Sequence, residues 1–366
     1  MSGSAGRWGS TDVTLTALQT EASRAFLGYP WEGVARLVDR SPSIHDLRAH
    51  RLELLAAARR RERGLPVPSE LTEDVRLADL STLTAIALVK RIRDVCSGPL
   101  LLFKGLEAAA QYPAPTLRPF GDVDVLVPDA EAVQRQLLAA GFRPVGPELE
   151  WETLHHLPRL AAPDLPFAVE VHRRPKCVVG IPGPRVDELL GSAVPSATGV
   201  DGVLAPAPSA HAVLLAAHAW AERPLRCIGD LVDVATVADG VDRGEVDEIA
   251  HRSGLDRVWR ATVRAADSLF RDQPTPWQLR TWARHLRAAR GQTVLAHHVE
   301  RVLMPFSAFA PLAAVKTAGH DLVLTVQPEE GEDWGAKLDR TQRAARNAFK
   351  RRSDHTRSLR DRRGRP

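Results

Sequence analysis

The sequence predicts an α+β protein in which a short strand-bearing stretch is enclosed by helical regions on either side. Two observations carry this expectation. Apolar residues recur at helix spacing from Val13 to about Cys96 and again after Pro206. Between these regions lie three compact apolar runs of strand length, at 100–103, 123–127 and 165–172, separated by helix and turn signals.

The elements follow in order. Residues 1–12 are expected to be a disordered start, and 13–96 a helical N-terminal region. Helix spacing is clearest at 47–56 and 80–95, with Pro66 and Pro68 between the pieces. Residues 97–205 form the candidate core. The strand at 100–103 stops at Lys104-Gly105 before a helix-like stretch over 106–111, and a second strand at 123–127 leads to a helix over 130–140 that ends at Gly141. The run 153–160 and the strand at 165–172 read as a hairpin with 163–166 in its turn. An α-helical C-terminal domain is expected over 206–338. Its helices fall at 209–220, with Ser209 as cap, and at 228–238, 246–252, 258–270, 276–287 and 292–304, punctuated by Gly254, Pro274 and Gly291. No constant period links them, which argues against a solenoid.

Composition narrows the function classes. With 44% hydrophobic and 26% charged residues the chain reads as a soluble globular protein, and no window is long and apolar enough to span a bilayer, so a cytoplasmic location and no membrane partner are expected. Cys96, Cys177 and Cys227 are odd in number and lack a CxxC pairing. Neither a disulfide framework nor a zinc site is indicated. Residues 340–366 hold eleven Arg or Lys against two Asp, a net of +9. Of the formal +4 of the whole chain, the other residues therefore carry −5. The basic tail at 339–366 suits RNA or another polyanion, or else is a solvated terminus.

The chemistry concentrates in Asp122 and Asp124. Strand side chains alternate, so both carboxylates point one way while Val123, Val125 and Val127 enter the core. Two anions on one face call for a cation, and hard oxygen ligands suit Mg²⁺ carrying substrate phosphates. An Asp-x-Asp alone is also common at a solvated strand edge; the flanking residues give this one its meaning. Upstream, Gly105 lets the backbone approach an anion and Lys104 supplies a point charge. Downstream, the strand at 165–172 places Phe167, Val169 and Val171 on one face, with Ala168, Glu170 and His172 on the other. Glu170 joins the aspartates if the two strands pair, and is otherwise an exposed strand position.

This ordered set resembles the polymerase-β-like nucleotidyltransferase superfamily, and within it a family of uncharacterised bacterial nucleotidyltransferases with Lys-Gly, Arg-x-x-Gly-Asp-x-Asp and Val-Glu-x-His patterns. The matching residues are 102–105, 118–127 and 169–172, so the close resemblance covers about residues 80–175. It implies a small mixed sheet with flanking helices and transfer of a nucleoside monophosphate from a nucleoside triphosphate to a hydroxyl-bearing acceptor. Asp122, Asp124 and Glu170 would be catalytic and would hold Mg²⁺, with Mn²⁺ as the alternative ion: the two aspartates would bind both ions of a two-metal site, and Glu170 would complete it and help deprotonate the acceptor. Lys104, Gly105, Arg118, Gly121 and His172 would bind the triphosphate. The wider superfamily opens its first helix with Gly-Ser, whereas this chain has Gly105-Leu106, which leaves a catalytically inactive scaffold as one alternative; the basic tail favours another, a tRNA-directed, toxin-like transferase.

Other residues invite competing readings. Arg118 suits a triphosphate oxygen or a carboxylate of the cluster, and His172 suits a phosphate, Glu170 or a structural role. His211, His218, Asp230 and Asp233 can be drawn as a metal site, but buried hydrogen bonds or a cleft lining account for them better. His155 and His156 should alternate faces, so that at most one points at the acids. Trp151 and Trp220 read as packing residues before base-stacking ones.

Overall fold

The computed structural model describes residues 26–351, apart from 42, 146–154, 166, 222 and 329–331. The readings made for 1–12, for 13–25, for Trp151 and Thr153, and for the tail beyond Arg351 lie outside the described residues.

Four helices lead in: α1 (Trp31–Asp39), α2 (Ile44–Ala49), α3 (Glu53–Glu62) and α4 (Ser69–Val95). Ser43 starts α2, its hydroxyl accepting the Asp46 N–H at 3.1 Å, while Pro66 and Pro68 fall in the break before α4. The core then runs β1 (Leu100–Leu102), the single turn α5 (Leu106–Ala109), β2 (Asp122–Leu126), α6 (Ala130–Ala139), β3 (Arg143–Pro144), β4 (Leu160–Ala161), β5 (Ala168–His172), α7 (Val186–Gly191), β6 (Val194–Pro195) and β7 (Val203–Ala205). The remainder is helical: α8 (Pro208–Ala221), α9 (Ile228–Ala238), α10 (Arg243–Arg252), α11 (Asp256–Phe270), α12 (Trp277–Thr281), α13 (Val294–Ala308), α14 (Pro311–Val326) and α15 (Trp334–Arg346).

The seven strands form one mixed sheet in the order β3-β4-β5-β2-β1-β7-β6. β2 with β5 and β1 with β7 are parallel, and the other neighbours are antiparallel. Each face has its own cover. Val123, Val125 and Val127 pack with Leu88, Val89 and Ile92 of α4 and Val133 and Leu137 of α6. On the other face Leu101, Phe103 and Leu126 pack under Leu189 of α7 and Ala210 and Leu214 of α8. A third core gathers α1–α3 with α8–α12, so Val34, Leu52 and Leu55 share apolar contacts with Trp220, Leu231 and Phe270. The N-terminal helical stretch is thus divided between two cores, the later turns of α4 serving the sheet and α1–α3, with Leu71 at the start of α4, the C-terminal helices.

Several boundaries differ from the expectations. The helix after Gly105 ends at Ala109, two residues before the expected 111. Ser209 is no cap: the helix begins at Pro208, which needs no N–H partner there, and the Ser209 hydroxyl donates to Glu245 at 2.7 Å. The expected helix over 276–287 breaks into α12 and a 3-10 turn over Arg284–Ala288. Residues 339–351 do not start a free tail. α15 runs through them to Arg346, and Arg351 pairs with the buried Asp46 at 3.0 Å. All three cysteines are free. Among the described residues no helix is long and apolar enough to cross a membrane.

Candidate active site

The parallel pairing of β2 with β5 sets Asp122 beside Ala168, Asp124 beside Glu170 and Leu126 beside His172. Residues level with each other on neighbouring strands share a face, so Asp124, Glu170 and His172 meet on the side away from α4 and α6. One potential ligand atom from each lies within 4.8 Å of the others. His172 Nε2 hydrogen-bonds Asp124 Oδ1 at 2.9 Å and stands 3.5 Å from Glu170 Oε2. Phe103, leaving β1, meets the His172 ring edge-on at 5.1 Å and fixes its plane.

Lys104 crosses to this cluster and donates to Asp124 Oδ1 at 2.8 Å. The turn that delivers it depends on Gly105, whose φ of +51 and ψ of −111 suit glycine alone and whose added Cβ would lie 3.3 Å from the Asp122 carbonyl oxygen. A second cation comes from Arg159, just before β4. Its guanidinium pairs with Glu170 and lies 3.5 Å from Asp122 Oδ2. Sequence reasoning passed over Arg159, although the signal was present: reflecting Glu170 through the midpoint of the expected turn at 163–166 lands on residue 159.

The electrostatics separate the three acids. Burial alone would raise the Asp124 carboxyl, but the Lys104 ammonium and the His172 hydrogen bond outweigh it and hold Asp124 well below the usual carboxylate range. Glu170 is likewise held low against burial by His172, Lys104 and Arg159. Asp122 moves the other way, raised by burial and by the neighbouring Asp124 charge. Burial works against charge on His172, yet its hydrogen bonds to Asp124 and Glu170 leave its pKa raised. Asp124 Oδ2 is buried with no hydrogen-bond partner, which is the state of a carboxylate oxygen set to meet a cation. Two carboxylates with one free oxygen beside an imidazole suit Mg²⁺ or Mn²⁺, the imidazole favouring the softer ion.

Lys104, Asp122, Arg159 and Glu170 line a cleft of about 820 Å³ between the sheet, α2–α4 and the helices α8 and α9, while Asp124 and His172 are buried beside them. Lys104, Gly105, Gly121, Asp122 and Glu170 border it on the sheet side, and Leu215, His218 and Ala219 of α8 face them. Gly121 lies on the loop entering β2. Arg118 also reaches the cleft, but the carboxylate it meets is none of the three acids. Its Nε and one terminal nitrogen donate to Asp233 of α9 at 2.7 and 2.8 Å, and its other terminal nitrogen donates to the Gly105 carbonyl at 3.3 Å. Tyr112 donates to the same Asp233 at 2.7 Å.

The four residues that might have been drawn as a second metal site are distributed otherwise. His211 donates to the Phe103 carbonyl at 2.9 Å, Asp230 accepts from Arg51 at 2.7 Å, Asp233 holds Arg118, and His218 lines the cleft. Trp220 is buried and donates to Thr262 at 2.8 Å. Both His155 and His156 border the cleft, their rings 5.3 and 5.4 Å from that of His172. The alternation expected of them fails because this segment is a single bridge followed by irregular chain, where period two does not apply.

No curated protein and no solved structure matches the chain. A family model described as "Uncharacterised nucleotidyltransferase" matches residues 39–271. That range takes in α2 to α11, and with them both carboxylate strands, Lys104, Arg159 and the helices that roof the cleft. It covers more than half of the 366 residues, and the chain accordingly belongs to this nucleotidyltransferase family.

Proposed function

We propose that the protein transfers a nucleoside monophosphate from a nucleoside triphosphate to a hydroxyl on a small molecule, protein or RNA, with Asp122, Asp124 and Glu170 as its acidic site. The observation that carries this reading is Asp124 level with Glu170 on adjacent parallel strands, with Lys104 and His172 bonded to the buried Asp124 carboxylate and Asp122, Glu170 and Lys104 bordering the cleft. Asp124 and Glu170, with Asp122 beside them, would hold Mg²⁺ or Mn²⁺, which when bound supplies charge opposite the triphosphate oxygens. His172 fixes the orientation of Asp124, so that Oδ2 is the oxygen left to face the ion. Lys104 neutralises the cluster from below and lies beside the path of a phosphate entering over Gly105.

The cleft volume is near the upper end of the roughly 300–1,000 Å³ usual for ligand pockets, which leaves room for a triphosphate and part of an acceptor. Leu215 and His218 of α8 stand across from the acids and are the side chains that would shape acceptor choice. The test is incubation with ATP, CTP, GTP or UTP labelled at the α-phosphate, with Mg²⁺ and a cell extract. A labelled product that disappears in Asp122→Asn and Asp124→Asn, both still folded by circular dichroism, supports the reading. Unchanged label transfer in both variants rejects it.

A further inference from the structure

We infer that Arg159 is the resident second cation of the acidic site, occupying the place between Asp122 and Glu170 where a second divalent ion would otherwise sit, so that the site takes one metal ion rather than two. The inference rests on the acidic site being the metal site proposed above. Asp124, Glu170 and His172 form one close group, whereas Asp122 stands at its rim and is joined to Glu170 through the Arg159 guanidinium.

The placement of Arg159 is built into the fold. Arg159 immediately precedes β4, whose Leu160 pairs with Val169, and from there its guanidinium reaches Glu170 on the neighbouring strand. On its other side the Arg159 carbonyl accepts the Val145 N–H at 2.9 Å, so the backbone that carries the guanidinium is held from both flanks. A planar fork suits two carboxylates side by side, and at this position it presents fixed positive charge without any ligand geometry to satisfy. The charge balance agrees. Three carboxylates already face two permanent cations, Lys104 and Arg159, with the His172 imidazole beside them, so little negative charge is left for more than one divalent ion to meet. A second ion would bring two further positive charges to a pair of oxygens already engaged by a guanidinium. The Arg159 side chain keeps 42% exposure and lines the cleft, so its outer edge remains free to meet a phosphate oxygen while its inner edge holds the acids.

The experiment is a titration of the full chain with Mn²⁺ alone, read by the free-ion electron paramagnetic resonance signal and by calorimetry. The native protein should bind one Mn²⁺ per chain, Arg159→Lys should still bind one, and Arg159→Ala and Arg159→Gln should bind two, the second at least tenfold tighter than any further binding by the native chain. Two ions in the native chain, or one ion in both Arg159→Ala and Arg159→Gln, overturns the assignment. Asp124→Asn keeps the two ideas apart. If Arg159→Ala holds one ion and Asp124→Asn loses it, the metal site stands and the role of Arg159 falls; if Asp124→Asn binds like the native chain, the metal site itself is wrong. Arg159 is half-exposed, so its variants should fold, and melting curves without metal verify this before titration.

Discussion

Asp233 accepts three hydrogen bonds in a buried setting, from Tyr112 Oη at 2.7 Å, from Arg118 Nε at 2.7 Å and from a terminal nitrogen of Arg118 at 2.8 Å. Replacing it with alanine removes the counter-charge and leaves the guanidinium facing a carbonyl at 3.3 Å, with Arg51 acting on it as a like charge. Breaking a buried ion pair from one side costs about 3–5 kcal/mol. The orphaned Tyr112 hydroxyl alone would cost about 1–3 kcal/mol. The two losses share one network and do not simply add, so about 4–5 kcal/mol is expected, a large part of the roughly 5–15 kcal/mol that stabilises a protein. Urea unfolding followed by tryptophan fluorescence measures it, with Trp220 buried on the neighbouring α8 as one reporter. The double variant Arg118→Leu/Asp233→Leu should recover most of the loss, because no uncompensated charge remains. A single variant within about 1 kcal/mol of the native protein, or a double variant as unstable as the single, would refute the reasoning.

Gly105→Ala should lower stability by about 1–3 kcal/mol and reduce nucleotide transfer further than stability alone explains, since the positive-φ turn that delivers Lys104 must shift away from the Asp122 carbonyl; unchanged transfer kinetics would contradict this. His50 and His211 are each pushed down to about 4, chiefly by burial, from an ordinary 6.5. Below pH 6.5 the unfolded chain therefore binds protons that the native chain refuses. Stability should fall as pH drops from about 6.5 towards 4, on the order of 3 kcal/mol for each histidine, and be insensitive to them above pH 7. Urea midpoints at pH 7.5, 5.5 and 4.5 measure this slope, and a flat profile would sink it. If the basic tail meets RNA, deleting residues 353–366 should weaken RNA binding and flatten its salt dependence. Filter binding at several salt concentrations is the measurement, and equal salt slopes would dismiss the tail as a nucleic-acid contact.

The sheet-side half of the site was legible because it obeys local rules. Period two placed Asp122 and Asp124 on one face and Glu170 with His172 on one face, and only the parallel pairing of their strands had to be supplied by the fold. Arg118 was legible as a guanidinium seeking carboxylate but not as the partner of Asp233, which lies 115 residues away in sequence. The missed strands β3, β6 and β7 have two or three residues each, too few to show a period. Helix α14 escaped notice for a different reason. Among its described side chains it buries Ala314 and Ala318 and leaves Leu312 85% exposed, so small residues rather than the large apolar ones that announce a helix turn inward there.

The ties that run from Arg118 to Asp233, from Arg51 to Asp230 and from His211 to the Phe103 carbonyl all join the sheet and the chain leading into it to α8 or α9. Anyone recombining this protein with a homologue to change its acceptor would have to move residues 51, 118, 230 and 233 as one block. A fragment cut at the end of β7 would carry the Arg118 guanidinium without its buried counter-charge, and any swing of α8 and α9 away from the sheet would strip three polar ties at once.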